Sequence, residues 1–365
     1  MQDKHKREVL RSSAARFERR NFLGAAGAAL AQTDLAASAE AAVNVRFGLD
    51  LFSLRSQGWT PFQCLNYCAK RGVKVVHFSE IRFLGSLEEE NVRRVRAHAD
   101  SLGIELEVGM RSICPSSTMF DRSQGTAEEQ LVRMLAAARV AGSPIVRCVL
   151  GSSADRSAPM FIEGHIEDMV KVLRNVRTRF LDGGVKVAIE NHAGDMQARE
   201  LKTLVEEAGR DFVGVCLDSG NPLWTLEDPH LTLETLAPYV LTSHVRDTAV
   251  WGTPEGAAVA WTRMGEGNIG MEAYIRTYVE KCPERALSLE IIVNPRPRIF
   301  NYRDPKFWEP YHKTPAWEFA RFLALVEKGT PKSMPLQVSG DAAVARERED
   351  VDASIRWTQG FLKQL

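Results

Sequence analysis

The chain has 365 residues, a length typical of two domains or of one large α/β barrel. Hydrophobic residues make up 44% and charged residues 26%, which is ordinary for a globular protein and excludes a disordered or collagen-like chain. Lys+Arg and Asp+Glu both number 47, so the net charge is zero and no basic excess indicates nucleic-acid binding. The chain has no run of eighteen or more consecutive apolar residues, so the sequence predicts no stable membrane span.

The N-terminal segment has the composition of an export signal. Residues 1–20 carry seven Lys/Arg against three acidic residues, and a short apolar stretch, Phe22–Ala31, follows Arg19 and Arg20. Small residues ending in Ala37-Ser38-Ala39 complete a possible cleavage site. The pair of arginines before Phe-Leu resembles a bacterial twin-arginine (Tat) signal, which predicts export by the Tat machinery to the periplasm or medium. The alternative is a disordered or helical N-terminal arm.

Eight short apolar runs alternate with amphipathic segments along the rest of the chain. The runs, predicted as strands, are Val45–Leu54, Val73–Ser79, Ile104–Met110, Pro144–Leu150, Val185–Asn191, Phe212–Asp218, Val240–Val245 and Ala286–Val293. Helices are predicted at Leu87–Leu102, Ala127–Ala141, His165–Phe180, Ala198–Ala208, Met271–Lys281 and Ala316–Glu327. This alternation predicts a (β/α)₈ TIM barrel over residues 40–329, after a signal at 1–39. A doubly wound sheet is the alternative, but no G-x-G-x-x-G follows the first strand.

Two segments exceed a minimal barrel. Asn294–Thr314 is a long connection rich in aromatic and arginine residues, predicted to form a pocket wall or lid, or alternatively to pack as a surface loop. Residues 330–365 form a C-terminal extension that ends in a helix, and we expect it to pack on the barrel or on a second subunit. Six cysteines are too few for a disulfide framework and indicate core thiols.

Charged side chains end the last four predicted strands. The strands end in the sequences I-E-N-H, C-L-D-S-G-N, T-S-H-V-R-D and S-L-E, which contribute Glu190, Asp218, His244 and Glu290. Strand ends converge on one face of a TIM barrel, so three buried carboxylates would meet there. Such a cluster is costly unless a cation neutralises it. Oxygen ligands with one imidazole favour Mn²⁺ or Mg²⁺, with Co²⁺, Fe²⁺ and Zn²⁺ as alternatives.

These four strand ends, in this order over residues 46–329, resemble the xylose isomerase-like barrels. That family includes sugar isomerases, tagatose/psicose-type 3-epimerases, inosose dehydratases and dehydroshikimate dehydratases. The resemblance implies a metal site of Glu190, Asp218, His244 and Glu290, and a substrate-closing stretch at Gly265–Gly267. Asn221 departs from ketohexose 3-epimerases, which usually have histidine there. The chain has eight histidines, too few for the additional zinc ligands of the DNA-repair members.

Further polar residues are candidates for binding the substrate. His192 lies two residues beyond Glu190, on the same face of an extended strand, and is predicted to contact substrate or to support the metal site. Asn221, Arg246, Asp247, Glu266 and Glu80 are also predicted substrate contacts, although Arg246 and Asp247 could instead orient His244 and Glu80 could form a salt bridge. His77, within the second strand, is expected to be a hydrogen-bonded core histidine.

The sequence therefore predicts a metal-dependent isomerase or epimerase acting on a sugar or keto-sugar. A divalent cation would stabilise an enediolate, while Glu190 and Glu290 remove and return the proton. A lyase that eliminates a β-substituent from the same enediolate is the alternative, because both reactions need the same base and metal. A non-catalytic periplasmic sugar-binding protein is the third possibility. An exported location favours unphosphorylated substrates, and a homo-oligomer is possible.

Overall fold

The computed structural model describes residues 45–365, so the predicted export signal at 1–39 lies outside the described residues. Within this range the strands are β1 Phe47–Asp50, β2 Val75–Phe78, β3 Glu105–Ser112, β4 Ile145–Val149, β5 Lys186–Glu190, β6 Val213–Asp218, β7 Val240–His244, β8 Asp247–Gly252, β9 Ala257–Thr262, β10 Leu287–Leu289 and β11 Arg298–Phe300. Eight of them pair in parallel in the order β10-β1-β2-β3-β4-β5-β6-β7. A parallel bridge from Val245 to Leu289 joins the two edges. The predicted (β/α)₈ barrel is confirmed.

Helices surround this barrel. Their bounds are α1 Pro61–Lys70, α2 Ile81–Leu84, α3 Glu89–Ser101, α4 Ala127–Ala141, α5 Ser153–Arg156, α6 Phe161–Gly183, α7 Ala198–Ala208, α8 Pro229–Leu236, α9 Met271–Lys281, α10 Ala316–Lys328 and α11 Asp341–Leu362. Helix α4 begins at a capping box of Thr126 and Glu129 and ends at Gly142, which adopts the left-handed conformation (φ +67°) that glycine tolerates. Between residues 45 and 365, no helix is long and apolar enough to cross a membrane.

The inside of the barrel changes from apolar to polar along its axis. Ile145, Ala188 and Cys216 form a small buried apolar cluster on β4, β5 and β6. Two residues further along the same strands, Arg147, Glu190 and Asp218 are buried with their charged groups. Because alternate residues of a strand face the same side, these charges lie inside the barrel toward its C-terminal end. All six cysteines are buried and unpaired, as expected for core thiols.

A second, antiparallel sheet follows β7 and was not predicted. Strands β8 and β9 pair along their whole length and β11 adds to β9 in the order β11-β9-β8. The two strands are joined by a turn in which the backbone N–H of Thr253 donates to the carbonyl of Gly256. Two apolar runs around a short Pro/Gly-containing turn are a hairpin signal, and residues 247–262 carry one.

The connection Asn294–Thr314 packs against β9, α10 and the loops that follow β4 and β6. It contributes β11 and a 3₁₀ helix, Pro305–Tyr311. Trp308 lies edge-on to Phe319 of α10, with ring centroids 4.8 Å apart, and its indole N–H donates to the carbonyl of Tyr302 at 2.7 Å. The segment is therefore a folded part of the helical layer.

The C-terminal extension covers the loop that follows β1. Glu347 of α11 accepts hydrogen bonds from the backbone N–H of Ser56 (2.9 Å) and the side chain of Gln57 (3.1 Å). Asp352 pairs with Arg71 and accepts from the hydroxyl of Tyr67. The extension thus packs on the barrel, one of the two arrangements expected for it.

Replacing Trp308 with alanine should destabilise the protein. The substitution removes the aromatic contact with Phe319 and the hydrogen bond to Tyr302, at a cost of about 2 kcal/mol for a half-buried tryptophan. Urea unfolding followed by circular dichroism measures the loss. Trp317→Ala is the matched control, because Trp317 is 57% exposed and should change stability far less. Equal stability of both variants would contradict the packing described here.

Glu227 should make stability depend on pH. Its carboxylate is buried, accepts from the backbone N–H of Ala198 (3.1 Å) and the hydroxyl of Thr232 (2.6 Å), and burial raises its pKa to about 8. Between the ordinary pKa of a glutamate and pH 8, the unfolded chain releases this proton while the folded chain keeps it. Stability relative to Glu227→Gln should therefore fall as pH rises through this window, by up to about 1.4 kcal/mol per pH unit.

Unfolding titrations of both proteins at pH 5, 6.5 and 8 measure this difference. Glu272→Gln, an exposed position on α9, is the control substitution. A difference between wild type and Glu227→Gln that stays constant across the three pH values would show that Glu227 keeps an ordinary pKa.

Candidate active site

A cavity of about 290 Å³ opens where the barrel strands end. Its lining combines charged, polar and aromatic side chains from most of the strands: Phe52, Ser79, Glu80, Arg111, Met119, Arg147, Val149, His192, Ala193, Asn221, Trp224, Arg246, Trp261, Glu290 and Ile292. Polar atoms without a hydrogen-bond partner occur on four of these residues, namely Ser79, Asn221, Trp224 and Arg246. Buried polar atoms are normally paired, so this cavity is equipped for a polar ligand.

Three predicted carboxylates meet beneath the cavity. Glu190, Asp218 and Glu290 are at most 5% exposed, and each offers an oxygen within 4.8 Å of the others. Asp50, at the end of β1, joins His244 and Glu290 in a second such group. Asp50 was not predicted, because it lies inside an apolar run that the sequence assigned wholly to a strand.

Two buried arginines neutralise part of this charge. Arg147 of β4 contacts the Glu190 carboxylate through Nη2 at 2.5 Å and Nε at 2.7 Å. Arg246 contacts Asp218 through Nη2 at 2.5 Å and also pairs with Glu290. Arg147 was missed in the sequence. The available signal was a charged residue within the apolar run of a predicted strand, which requires a buried partner.

His244 is held by a second histidine. Its Nε2 lies 3.0 Å from Nδ1 of His77, whose Nε2 lies 2.9 Å from the Ser288 hydroxyl and 3.0 Å from Glu107. With two acceptors at its Nε2, His77 carries a proton there and accepts at Nδ1 from His244. The expectation that His77 is a hydrogen-bonded core histidine is confirmed.

The remaining nitrogen of His244 faces the carboxylates. Its Nδ1 lies 2.8 Å from Glu190 Oε2 and 3.3 Å from Glu290 Oε2, yet makes no hydrogen bond. Since Nε2 donates to His77, neutral His244 directs a lone pair at two anionic oxygens. That arrangement is repulsive unless a proton or a cation lies between them.

The pKa values of the cluster show how protons respond to this charge. Burial raises the pKa of Asp218 to about 7 and also raises that of Asp50. Burial opposes charge on His244, but the acidic groups around it, Cys216 and Glu190 first, raise its pKa well above the ordinary value. Burial likewise favours neutral Glu190 and Glu290, but Arg147 holds the pKa of Glu190 low and Arg246 lowers that of Glu290 to about 2.

This donor set fits a divalent metal ion. Glu190, Asp218 and Glu290 could hold it as one group, and His244 adjoins this group, because it also clusters with Glu290 and Asp50 and with Glu190 and Cys216. A cation would remove the repulsion at the unpartnered Nδ1 of His244. The His77 hydrogen bond to Nε2 fixes the tautomer that leaves Nδ1 free for a metal, as second partners of metal-binding histidines do. Three oxygens and one nitrogen are compatible with Mg²⁺, Mn²⁺ or Zn²⁺, among others.

Four of the predicted substrate contacts line the cavity. His192 donates from Nδ1 to the carbonyl of Gly151 at 2.7 Å, and burial lowers its pKa. Asn221 donates to the carbonyl of Asn191 at 2.9 Å and keeps its own side-chain oxygen unpartnered. Glu80 accepts from Arg82 at 2.5 Å, and Arg246 spans Asp218 and Glu290.

Asp247 and Glu266 are not brought to the cavity, which corrects their predicted placement. The Asp247 carboxylate accepts from the backbone N–H groups of Gly265 (3.0 Å) and Gly267 (2.9 Å). A Cβ on Gly267 would come within 1.9 Å of Asp247 Oδ1, so glycine is required for this turn. Glu266 is exposed and lines a separate groove beside the C-terminal extension. The Gly-Glu-Gly stretch therefore has a structural role.

Two stacked tryptophans form the apolar wall of the cavity. The rings of Trp224 and Trp261 are 4.3 Å apart and nearly parallel, with Arg246 over Trp261 at 4.4 Å. Arg298 covers Trp224 at 4.6 Å. No residue of the segment 294–314, all of which the structure describes, lines the cavity directly. The segment is a packed loop, as the alternative expected, and Arg298 supports the wall from behind through its contacts with Trp224 and Ser153.

Comparison with known proteins identifies relatives for this barrel. Residues 65–304 match the family described as "Xylose isomerase-like TIM barrel". The chain is 25% identical over 225 residues to the uncharacterised protein YihM of Escherichia coli K12, covering 59% of this chain and 64% of that protein. It is 25% identical over 185 residues to a 3-oxo-isoapionate decarboxylase of Pectobacterium atrosepticum, covering 51% and 60%. The chain thus spans less than two thirds of each relative.

Solved structures share the fold. A D-psicose 3-epimerase with D-tagatose from Clostridium cellulolyticum H10 superposes with a TM-score of 0.56 at 14% identity, over 85% of this chain and 98% of that one. A probable 3-DHS dehydratase from Bacillus anthracis gives 0.53 at 15%, over 68% and 93%. A barrel from Mycobacterium smegmatis in complex with magnesium gives 0.52 at 14%, over 69% and 92%.

Replacing Asp218 with asparagine should weaken metal binding. The change replaces the Asp218 carboxylate, an anionic ligand that also pairs with Arg246, by a neutral amide. The affinity for Mn²⁺ should therefore fall by at least about 100-fold. Calorimetric titration of the chelator-treated protein with Mn²⁺, Mg²⁺ and Zn²⁺ measures this, and circular dichroism checks folding. Glu266→Gln is the control carboxylate outside the cluster. Unchanged affinity in Asp218→Asn would refute the assigned ligands.

Proposed function

The chain belongs to the xylose isomerase-like TIM barrel family, and from this premise we propose that it is a metal-dependent isomerase or epimerase of sugars or keto-sugars. The observation that carries the proposal is the unpartnered Nδ1 of His244 among three buried carboxylates, directly below a cavity with unpartnered polar atoms. When bound there, a divalent cation would act as a Lewis acid toward a carbonyl oxygen.

His192 is the proposed proton acceptor. Its Nδ1–H donates to the carbonyl of Gly151, so its Nε2 carries a lone pair and the ring lines the cavity. Asp195 holds this arrangement in place, because its carboxylate accepts from the backbone N–H of both His192 (2.9 Å) and Gly151 (3.1 Å). The base is thereby positioned before any substrate arrives.

Glu190 and Glu290, the acid and base expected from sequence, fit better as metal ligands. Each carboxylate is engaged by a guanidinium, Glu190 by Arg147 and Glu290 by Arg246. An ion-paired carboxylate binds a proton weakly and is a poor general base. Under this assignment both glutamates remain in the site as metal ligands, and the imidazole of His192 removes the proton.

The proposed reaction begins when His192 Nε2 removes a proton from the carbon next to the substrate carbonyl. The electron pair of that C–H bond moves toward the carbonyl oxygen and gives an enediolate, whose negative charge the guanidinium groups of Arg147 and Arg246 stabilise. His192 can return the proton to the neighbouring carbon, and transfer of the hydroxyl proton to the former carbonyl oxygen then completes an isomerisation. An epimer forms when the first carbon takes a proton on its opposite face, which water would supply while His192 keeps the one it removed. The stacked Trp224 and Trp261 offer an apolar surface to the C–H face of a sugar.

A lyase is the second candidate, favoured by the decarboxylase among the relatives and by the single imidazole at the cavity. In a β-elimination the leaving group departs from the same type of enediolate and no proton returns to carbon. In a decarboxylation the C–CO₂ bond breaks instead, its electron pair forms the enolate, and that carbon then takes up a proton. Both candidates are enzymes, whereas a sugar-binding protein would leave every C–H bond of its ligand intact.

Replacing His192 with glutamine should abolish proton exchange while metal binding persists. The metal-loaded protein is incubated in D₂O with a panel of keto-sugars and followed by NMR. Wild type should introduce deuterium at the carbon beside the carbonyl, and His192→Gln should slow this by at least about 100-fold, the typical contribution of a general base.

His312→Gln provides the matched control, because His312 is an exposed histidine in the 294–314 segment. Deuterium incorporation with recovery of an isomer supports the isomerase, and loss of a substituent or of CO₂ supports the lyase. Tight binding without exchange by wild type would overturn the catalytic proposal, and full exchange by His192→Gln would exclude His192 as the base.

A further inference from the structure

Arg111 lies at the C-terminal end of β3 and lines the cavity. Alternate residues of β3 face the barrel interior, where Glu107 lies near His77 and Gly109 lies against β4. A Cβ at position 109 would come within 3.1 Å of the Arg147 Cβ, so this glycine leaves room for Arg147. The pairing of β3 with β4 shifts register between Gly109 and Ser112, and Arg111 lies in this irregular stretch, where its exposed side chain lines the mouth of the cavity.

Arg111 differs from the other two cavity arginines in having no acidic partner. Arg147 is paired with Glu190, and Arg246 with Asp218 and Glu290. Within residues 45–365 no carboxylate lies within 4.0 Å of the Arg111 guanidinium and its side chain makes no hydrogen bond to the protein; the side chain is exposed at the mouth of the cavity. The cavity therefore presents a full positive charge at one end of its wall.

Arg246 adds unused donors at the same cavity. Its Nη2 contacts both carboxylates, but Nε and Nη1 have no hydrogen-bond partner although the side chain is only 2% exposed. The indole N–H of Trp224 is a third unpartnered donor on the lining. Buried donors without acceptors carry a free-energy penalty that an oxygen-rich ligand would relieve.

We propose that the substrate carries a carboxylate, that Arg111 binds this group, and that the ligand's other oxygens accept from Arg246 and Trp224. The inference rests on the proposed function and narrows its substrate class from neutral sugars to sugar acids. Hydroxyl groups could occupy the unpartnered donors, but only an anionic group would form an ion pair with Arg111, which is exposed at the mouth of the cavity. A planar carboxylate matches the two parallel N–H groups of a guanidinium.

Matched pairs of ligands test this directly. D-Fructose and D-fructuronate differ only in a terminal CH₂OH or carboxylate, as do D-tagatose and D-tagaturonate. Calorimetric titration of the metal-loaded protein gives the dissociation constants, and deuterium exchange in D₂O reports turnover separately. The acid should bind at least about tenfold more tightly than its neutral partner, as a charge-assisted hydrogen-bond pair provides.

Substitution of Arg111 tests whether this residue causes the tighter binding of the sugar acid. Arg111→Gln should bring the ratio of the two dissociation constants to about one, and Arg111→Lys should restore it in part, because lysine keeps the charge without the bidentate geometry. Arg122→Gln is the control, since Arg122 is an exposed arginine in the connection from β3 to α4 and donates to the carbonyl of Pro115. This control should keep the wild-type ratio.

Equal affinity for acid and neutral sugar in wild type, an unchanged ratio in Arg111→Gln, or absence of binding by both uronates would overturn the inference. Preference for D-fructose 6-phosphate over D-fructuronate would also overturn it, in favour of a phosphate ester. These results are independent of catalysis: tight binding of uronates without deuterium exchange leaves the carboxylate subsite standing and refutes the proposed function instead.

Discussion

The burial of five carboxylates inside one barrel is the constraint on which the rest of this structure depends. Asp50, Glu107, Glu190, Asp218 and Glu290 are each at most 5% exposed. Charges of one sign cannot remain together in a low-dielectric interior without compensation. The main polar features of the interior provide that compensation: Arg147 and Arg246 pair with three of the acids, and the two adjacent histidines connect the other two to the cluster.

The barrel confines this charge to one end. Ile145, Ala188 and Cys216 are buried together on β4, β5 and β6, and the charged layer begins two residues later on those strands. Alternate residues of a strand face the same side because the strand is pleated. The positions that face the interior near the N-terminal end therefore fix, at intervals of two residues, which positions face the interior near the C-terminal end and can carry charged groups. Stability and function are thus separated along a single strand.

The sequence predicted the barrel and the four residues Glu190, Asp218, His244 and Glu290 because each ends an apolar strand, and strand ends must converge. Arg147 and Asp50 escaped this reasoning because they lie within apolar runs, where pairing with a partner distant in sequence is invisible. Asp247 was misplaced for a different reason. The chain turns into β8 directly after Arg246, so neighbouring residues point in opposite directions, one into the cavity and one toward the Gly265–Gly267 turn.

The charge balance also bears on which ligands the cavity accepts. With all five buried carboxylates ionised and His77 and His244 neutral, as metal binding requires of its ligands, Arg147, Arg246 and Arg111 together with one divalent cation give a net charge near zero. Without Arg111 the same cluster would keep a net negative charge and repel an anion at its mouth. The third arginine is therefore more than a local hydrogen-bond donor: it lies beyond the paired arginines, closest to solvent, and it removes the net negative charge that would repel an entering anionic substrate.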